Sequence, residues 1–236
     1  MDKPQKVEKI VQILEREIPK LDPPIHLMFK VQKNDPYRVL VCGILSARSK
    51  DEKTVPVCEK LFNKYPTAED LLKAPLEEIE ETLKGIGLYR QKARYLKEAI
   101  KKLVEEYGGK LPQTLEELTK FPGVGRKVAN IILIHAFGKD TIAVDTHVHR
   151  ISNLLGLVKT KKPEETEREL KKIVPKRLWK KINYLLVGLG QTICKPQKPN
   201  CESCPIKEFC EFYKNLFKQL DKGKNQTDYK GKLTNK

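Results

Sequence analysis

Phe121-Pro122-Gly123-Val124-Gly125-Arg126-Lys127 opens an apolar run that continues to Phe137. Pro122 stops a preceding helix. The two glycines permit positive φ and a close approach to the backbone, and Val124 between them can tuck into a core. The helix that follows offers backbone N–H groups and the positive end of its dipole, together an anion site. Such a turn holds a polyanion through its phosphates and needs no base-reading side chain. An ordinary tight helix–helix turn is the competing reading. The succession of helix, proline, G-x-G, basic pair and buried helix is more specific than G-x-G alone.

The same design occurs earlier in the chain. Leu83-Lys84-Gly85-Ile86-Gly87 is also an apolar-glycine turn that opens a helix. Two copies are too few for a solenoid, but they suggest similar turns put to related use.

Working outward, the pattern is helical throughout. Apolar residues at helical spacing predict helices over 7–18, closed by Pro19, and from Pro36 through Leu45, then over 52–62, 76–83 and 88–107. Gly108-Gly109 stops the last of these. Thr114 is the expected cap of a short helix, with Glu117 at the capping-box offset. Further helices are expected over 124–137, 147–157, 163–174 and 178–194. Thr141–Val144 alone could pass for a strand, and it is too short to build a sheet. The expected fold class is all-α.

Bulk properties narrow the function. The 236 residues are 39% hydrophobic, enough for a sizeable core. Lys and Arg number 47 against 31 Asp and Glu, a net charge of +16. Such an excess points to a polyanion, most commonly nucleic acid; a lysine- and glutamate-rich surface that supports thermal stability is the alternative. No apolar run reaches the roughly 18–20 residues that span a bilayer. Met1–Ile10 has no apolar signal core. A membrane partner and secretion are therefore not expected. The lysine-rich stretch from about 218 lacks apolar periodicity and reads as a mobile tail.

Six cysteines in such a chain do not suggest a disulfide framework. Cys42 and Cys58 lie in apolar helical patterns and read as small core residues. Cys194, Cys201, Cys204 and Cys210 form C-x6-C-x2-C-x5-C. Four thiolates this close can ligate one metal centre, and sulfur ligands suit zinc or an iron–sulfur cluster. Spacing does not separate the two. Lys195 and Lys198, in the loop between the first two ligands, would face DNA if the loop were pinned.

Lys127 falls in the first turn of an otherwise apolar helix, where the dipole disfavours its charge. Partial burial acts the same way, so both predict a lowered pKa and a nucleophilic amine. Binding phosphate is the competing role. Downstream, Asp145 in Val144-Asp145-Thr146-His147 is either a plain N-cap or a carboxylate beside a reacting lysine.

Residues 121–130, Ala143–His147 and the four cysteines, in that order and at those separations, closely resemble the endonuclease III family. Its members are iron–sulfur DNA glycosylase/lyases of the helix-hairpin-helix superfamily. The resemblance extends over roughly residues 5–215. It implies that Lys127 is the catalytic lysine, Asp145 the catalytic aspartate, and Cys194, Cys201, Cys204 and Cys210 the ligands of a [4Fe-4S] cluster. It implies two helical domains with a DNA-binding cleft between them. One is a barrel over 29–139 with the helix-hairpin-helix at about 115–137. The other joins 1–28 to 140–215 around the cluster, leaving 216–236 as the tail.

The implied partner is double-stranded DNA carrying a damaged base or an abasic site, bound by a monomer in a prokaryotic cytoplasm. Gly123, Gly125, Arg126, Lys195 and Lys198 would contact the backbone. Arg48, in Leu45–Asp51, takes the place of a family residue that fills the gap left by the extruded base, which bacterial-type members provide as glutamine. Leu88 matches a wedge inserted into the stack. The implied activity is removal of oxidised pyrimidines followed by β-elimination. A monofunctional mismatch glycosylase and a non-catalytic metal-stapled DNA-binding module are the alternatives. Members of the first kind generally lack a lysine at the position of Lys127, and the joint presence of Lys127 and Asp145 argues against the second.

Overall fold

The computed structural model describes residues 1–220, with side chains to residue 216. Its elements are helices: α1 Lys3–Glu17, α2 Ile25–Gln32, α3 Pro36–Ser46, α4 Asp51–Lys64, α5 Ala68–Lys73, α6 Leu76–Leu83 and α7 Tyr89–Glu105. Then come α8 Leu115–Leu118, α9 Arg126–His135, α10 Thr146–Leu154, α11 Pro163–Ile173, α12 Trp179–Thr192 and α13 Glu211–Leu220. Short 3-10 turns cover Ile18–Leu21, Lys176–Leu178 and Lys207–Phe209. No strand occurs among the described residues, and Thr141–Val144 is an irregular buried segment. No described helix is long and apolar enough to cross a membrane.

The chain divides into two compact units, one of residues 24–143 and one of residues 1–23 with 144 onward. In the 24–143 unit, α2 to α9 surround one core containing Leu40, Ile44, Leu61, Leu71, Ile79, Leu96, Ile100, Phe121 and Ile132. Helix α9 packs closely on α3 because Gly43 has no side chain. A Cβ there would fall 2.6 Å from Val128 Cγ1. In the other unit, α1 and α10 pack on α12, and Leu14, Ile151, Leu185 and Leu189 of these helices are nearly inaccessible to solvent. Gly188 lets α12 approach Ile18, and Gly190 lets it approach the His147 ring of α10.

Local chemistry sets most boundaries. Asp2, Asp35 and Asp145 accept the backbone N–H groups of Gln5, Arg38 and Val148 as N-caps. Pro19 falls within the 3-10 turn that follows α1, so the chain tightens there rather than stopping. Thr114 caps α8, but Glu117 does not close the box: its carboxylate binds the Tyr107 hydroxyl and Lys120 instead.

Three helices, α2, α5 and α13, were not expected from the pattern. Helix α5 has a complete capping box between Thr67 and Asp70 but only six residues. Helix α2 begins after Pro24 with no side-chain cap. The expected tail boundary at 216 falls inside α13, whose Phe212, Leu216 and Leu220 recur at helical spacing. Residues 221–236 of that tail lie outside the described residues.

Candidate active site and cysteine pocket

The two glycine turns within the 24–143 unit share one backbone design. Val124 N–H donates to Phe121 O at 3.0 Å, and Ile86 N–H donates to Leu83 O at 3.3 Å. The first glycine of each turn has positive φ, 76° at Gly123 and 107° at Gly85. Phe121, Val124, Leu83 and Ile86 are buried, so each turn is pinned to the core by its apolar residues.

Their exits differ. Gly125 is the N-cap of α9 in extended conformation, and no side chain caps the helix. The first turn of α9 carries no acidic residue, so its own side chains do not offset the positive end of its dipole. Arg126 is exposed and Lys127 half-buried. Lys127 Nζ has no hydrogen bond or ion pair among the described residues. Farther along α9, the His135 ring packs against Phe29 in a tilted arrangement, with centroids 4.7 Å apart and planes at 44°. Burial, and secondarily the charge of Lys127, hold its pKa down at about 4. It is therefore neutral near pH 7.

The earlier turn exits through Leu88, the N-cap of α7, in the left-handed conformation with φ 58°. Leu88 is 55% exposed, an apolar side chain left in solvent at a backbone conformation that leucine rarely adopts. Arg48, exposed in the turn after α3, is also left-handed, with φ 54°. A Cβ on Gly87 would stand 4.0 Å from Arg48 O, so the two strained residues sit on adjoining loops of one unit.

Asp145 belongs to the other unit. It is half-buried, and its Oδ1 accepts the Val148 N–H at 2.8 Å as the cap of α10. Its Oδ2 has no hydrogen bond among the described residues. His147 packs against Gly190 of α12.

Cys194, Cys201, Cys204 and Cys210 line one pocket together with Arg150, Leu154 and Tyr213. The pocket encloses about 440 Å³ of empty space, part of it open to solvent. Among the described residues, no three His, Cys, Asp or Glu side chains are set to hold a metal ion. A lone zinc would need its four sulfurs at about 2.3 Å. Four thiols lining one pocket are a soft-sulfur set of the kind that holds an iron–sulfur cluster. Burial raises the Cys204 thiol to about 11 and also raises Cys210, so ligation must displace protons there. Lys195 and Lys198 in this loop are exposed, and Lys195 lines the pocket rim.

Arg150 on α10 had no distinguishing signal in the sequence. Its Nη2 donates to Cys194 O at 2.6 Å and its Nη1 approaches Cys194 Sγ at 3.5 Å. Cys42 and Cys58 are fully buried core residues.

Comparison with known proteins bears on both regions. Residues 41–176 match the HhH-GPD superfamily base excision DNA repair protein family. Residues 194–210, bounded by the first and last of the four cysteines, match the iron–sulfur binding domain of endonuclease III. Endonuclease III of Thermotoga maritima is 51% identical over 205 residues, 87% of this chain and 94% of that protein. A solved trapped endonuclease III–DNA covalent intermediate, an estranged-adenine complex, is 35% identical with a TM-score of 0.80. It covers 92% of this chain and 100% of that one. A thermostable thymine-DNA glycosylase is 28% identical with a TM-score of 0.76, covering 90% of this chain and 97% of the other.

Proposed function

The chain belongs to the HhH-GPD superfamily of base excision DNA repair proteins and carries the endonuclease III iron–sulfur domain, and from that premise we propose that Lys127 is the residue through which it acts as a bifunctional DNA glycosylase/AP lyase. The observation that carries this reading is a half-buried lysine, without a hydrogen-bond or ion-pair partner among the described residues, in the first turn of α9, a turn with no acidic residue and no side-chain cap.

The substrate is double-stranded DNA with a damaged base, an oxidised pyrimidine, or an abasic site, met by a monomer in the cytoplasm. The base leaves the stack at a cost of a few kcal/mol, lower for a damaged pair. Gly123, Gly125 and Arg126 hold phosphates at the hairpin, with Lys195 and Lys198 adding contacts from the cysteine loop. Arg48 occupies the place of the displaced base and Leu88 enters the stack.

The Lys127 amine, once it has given up its proton, attacks the sugar carbon bearing the base. The bond to the base breaks, and the base departs with the electron pair. The sugar ring opens to a Schiff base on Lys127. Loss of the proton next to the imine carbon then expels the phosphate 3′ to the lesion. The carboxylate of Asp145 assists by accepting the lysine proton or stabilising positive charge on the sugar. Its Oδ1 cap fixes the carboxylate, and Oδ2 is the oxygen not engaged by the cap.

The four cysteines would hold a [4Fe-4S] cluster, which contributes no step and pins the 194–210 loop. The borohydride experiment decides among the readings. An abasic duplex treated with borohydride should give a covalent adduct that Lys127→Ala abolishes. A glycosylase that removes a base without any adduct would be monofunctional. Binding with neither base release nor an adduct would indicate a DNA-binding module.

A further inference from the structure

Lys92 lies on α7 and is only 4% exposed. It shares the apolar face of α7 with Leu96, Ala99, Ile100 and Leu103, where a lysine serves no packing purpose that a methionine would not. Its ammonium donates to Leu45 O at 2.8 Å and to Ser49 Oγ at 2.7 Å. Those acceptors flank Arg48, one at the end of α3 and the other just past the left-handed residue. Its backbone N–H donates to Leu88 O at 3.0 Å. One residue therefore ties the exposed Leu88 to both sides of the Arg48 turn. No carboxylate pairs with Lys92 among the described residues. The buried charge is held by the turn it organises, and burial lowers its pKa from the ordinary lysine value.

We propose that Lys92 is a positioning residue for lesion recognition, which locks Arg48 and Leu88 at the spacing needed to fill and hold open the gap left by the extruded nucleotide. The inference rests on the reading of Arg48 and Leu88 above. Two left-handed non-glycine residues on separate loops would relax independently without such a tie, because each conformation is costly. Lys92 touches no substrate and acts through them.

The test uses full-length protein with its cluster and duplexes carrying one abasic site opposite each of the four bases. Single-turnover strand cleavage is measured for each duplex. Fluorescence of 2-aminopurine opposite the site reports displacement of that base. Lys92→Met should lower the rate about tenfold and flatten the differences among opposite bases, as a small misplacement remote from the chemistry does. It should also diminish the 2-aminopurine signal.

Ser49→Ala, which keeps Lys92, should shift both readouts in the same direction by about threefold, and it decides the matter if Lys92→Met does not fold. Arg48→Ala should flatten selectivity too, and adding Lys92→Met to it should flatten nothing further. Wild-type selectivity in Ser49→Ala and in a folded Lys92→Met would overturn the role of Lys92 while leaving that of Arg48 intact. Wild-type selectivity in Arg48→Ala would refute the reading of Arg48, and with it the positioning role of Lys92.

Discussion

The Leu83–Gly87 and Phe121–Gly125 turns begin alike and end differently. Both bury their apolar residues, both close with the same backbone hydrogen bond, and both place a positive-φ glycine third. The later turn then enters its helix directly, with Gly125 as cap, and displays helix N–H groups beside Arg126 and Lys127. The earlier turn inserts one more residue, so Leu88 becomes the cap and is driven outward in a left-handed conformation. A one-residue difference in helix entry separates a surface suited to holding an anion from one suited to inserting an apolar side chain. The surroundings differ as well. A Cβ at Gly123 would meet Tyr95 at 3.1 Å and Ile44 at 3.2 Å, whereas one at Gly85 would meet nothing within 4 Å.

That contrast can be broken first at Lys127. Lys127→Ala should reduce lyase turnover by at least about 10³-fold, the scale seen when a nucleophile is removed. Strand cleavage and borohydride adducts measure it, and persistence of either at the wild-type level would remove Lys127 from the chemistry. DNA affinity should change far less, because the glycines and Arg126 remain.

The packing difference comes next. Gly123→Ala should destabilise the protein by about 3 kcal/mol, adding crowding to positive-φ strain. Gly85→Ala should cost about 1–2 kcal/mol from strain alone. Urea denaturation compares the two, and equal losses would mean that both turns are equally open.

His135 tests the far end of α9. Its folded pKa of about 4 lies below the ordinary 6.5. The unfolded chain therefore binds the extra proton first as pH falls. Stability should be fully present above about pH 6.5 and decline by about 2–3 kcal/mol as pH falls towards 4. His135→Phe should flatten that part of the stability–pH profile. An unchanged slope would show that His135 titrates normally.

The smallest effect is expected at Leu88. Leu88→Asn should raise stability by about 1 kcal/mol, since asparagine tolerates the left-handed region and leucine does not. The same change should slow abasic-site cleavage about tenfold, the trade-off of a strained functional residue. A variant less stable than the parent would show that Leu88 carries no strain.

Much of this was legible along the chain. The hairpin, the second turn, the aspartate cap of α10 and the four cysteines are local patterns, dictated by glycine conformation, capping chemistry and ligand spacing. Helix α5 was missed although Thr67 and Asp70 form a capping box, because six residues offer little periodicity. A signal for Lys92 existed too: a lysine on the apolar stripe that continues through Leu96 and Leu103. Gly43, within an apolar helix, similarly marked a close approach, here to Val128. Arg150 offered nothing comparable, because a half-exposed arginine on a surface helix is ordinary until Cys194 is found beside it.

The sequence by itself determined an all-helical chain, two glycine turns, a lysine at the head of a buried helix and a four-cysteine ligand set. Each depends on residues within a few turns of one another, where backbone geometry and side-chain type suffice. Tertiary structure alone decided that Leu88 stands outward, that Lys92 reaches across to both flanks of Arg48, and that the cysteines surround a pocket. Those outcomes depend on which helices pack together, and periodicity marks the face that is buried without marking the face it is buried against.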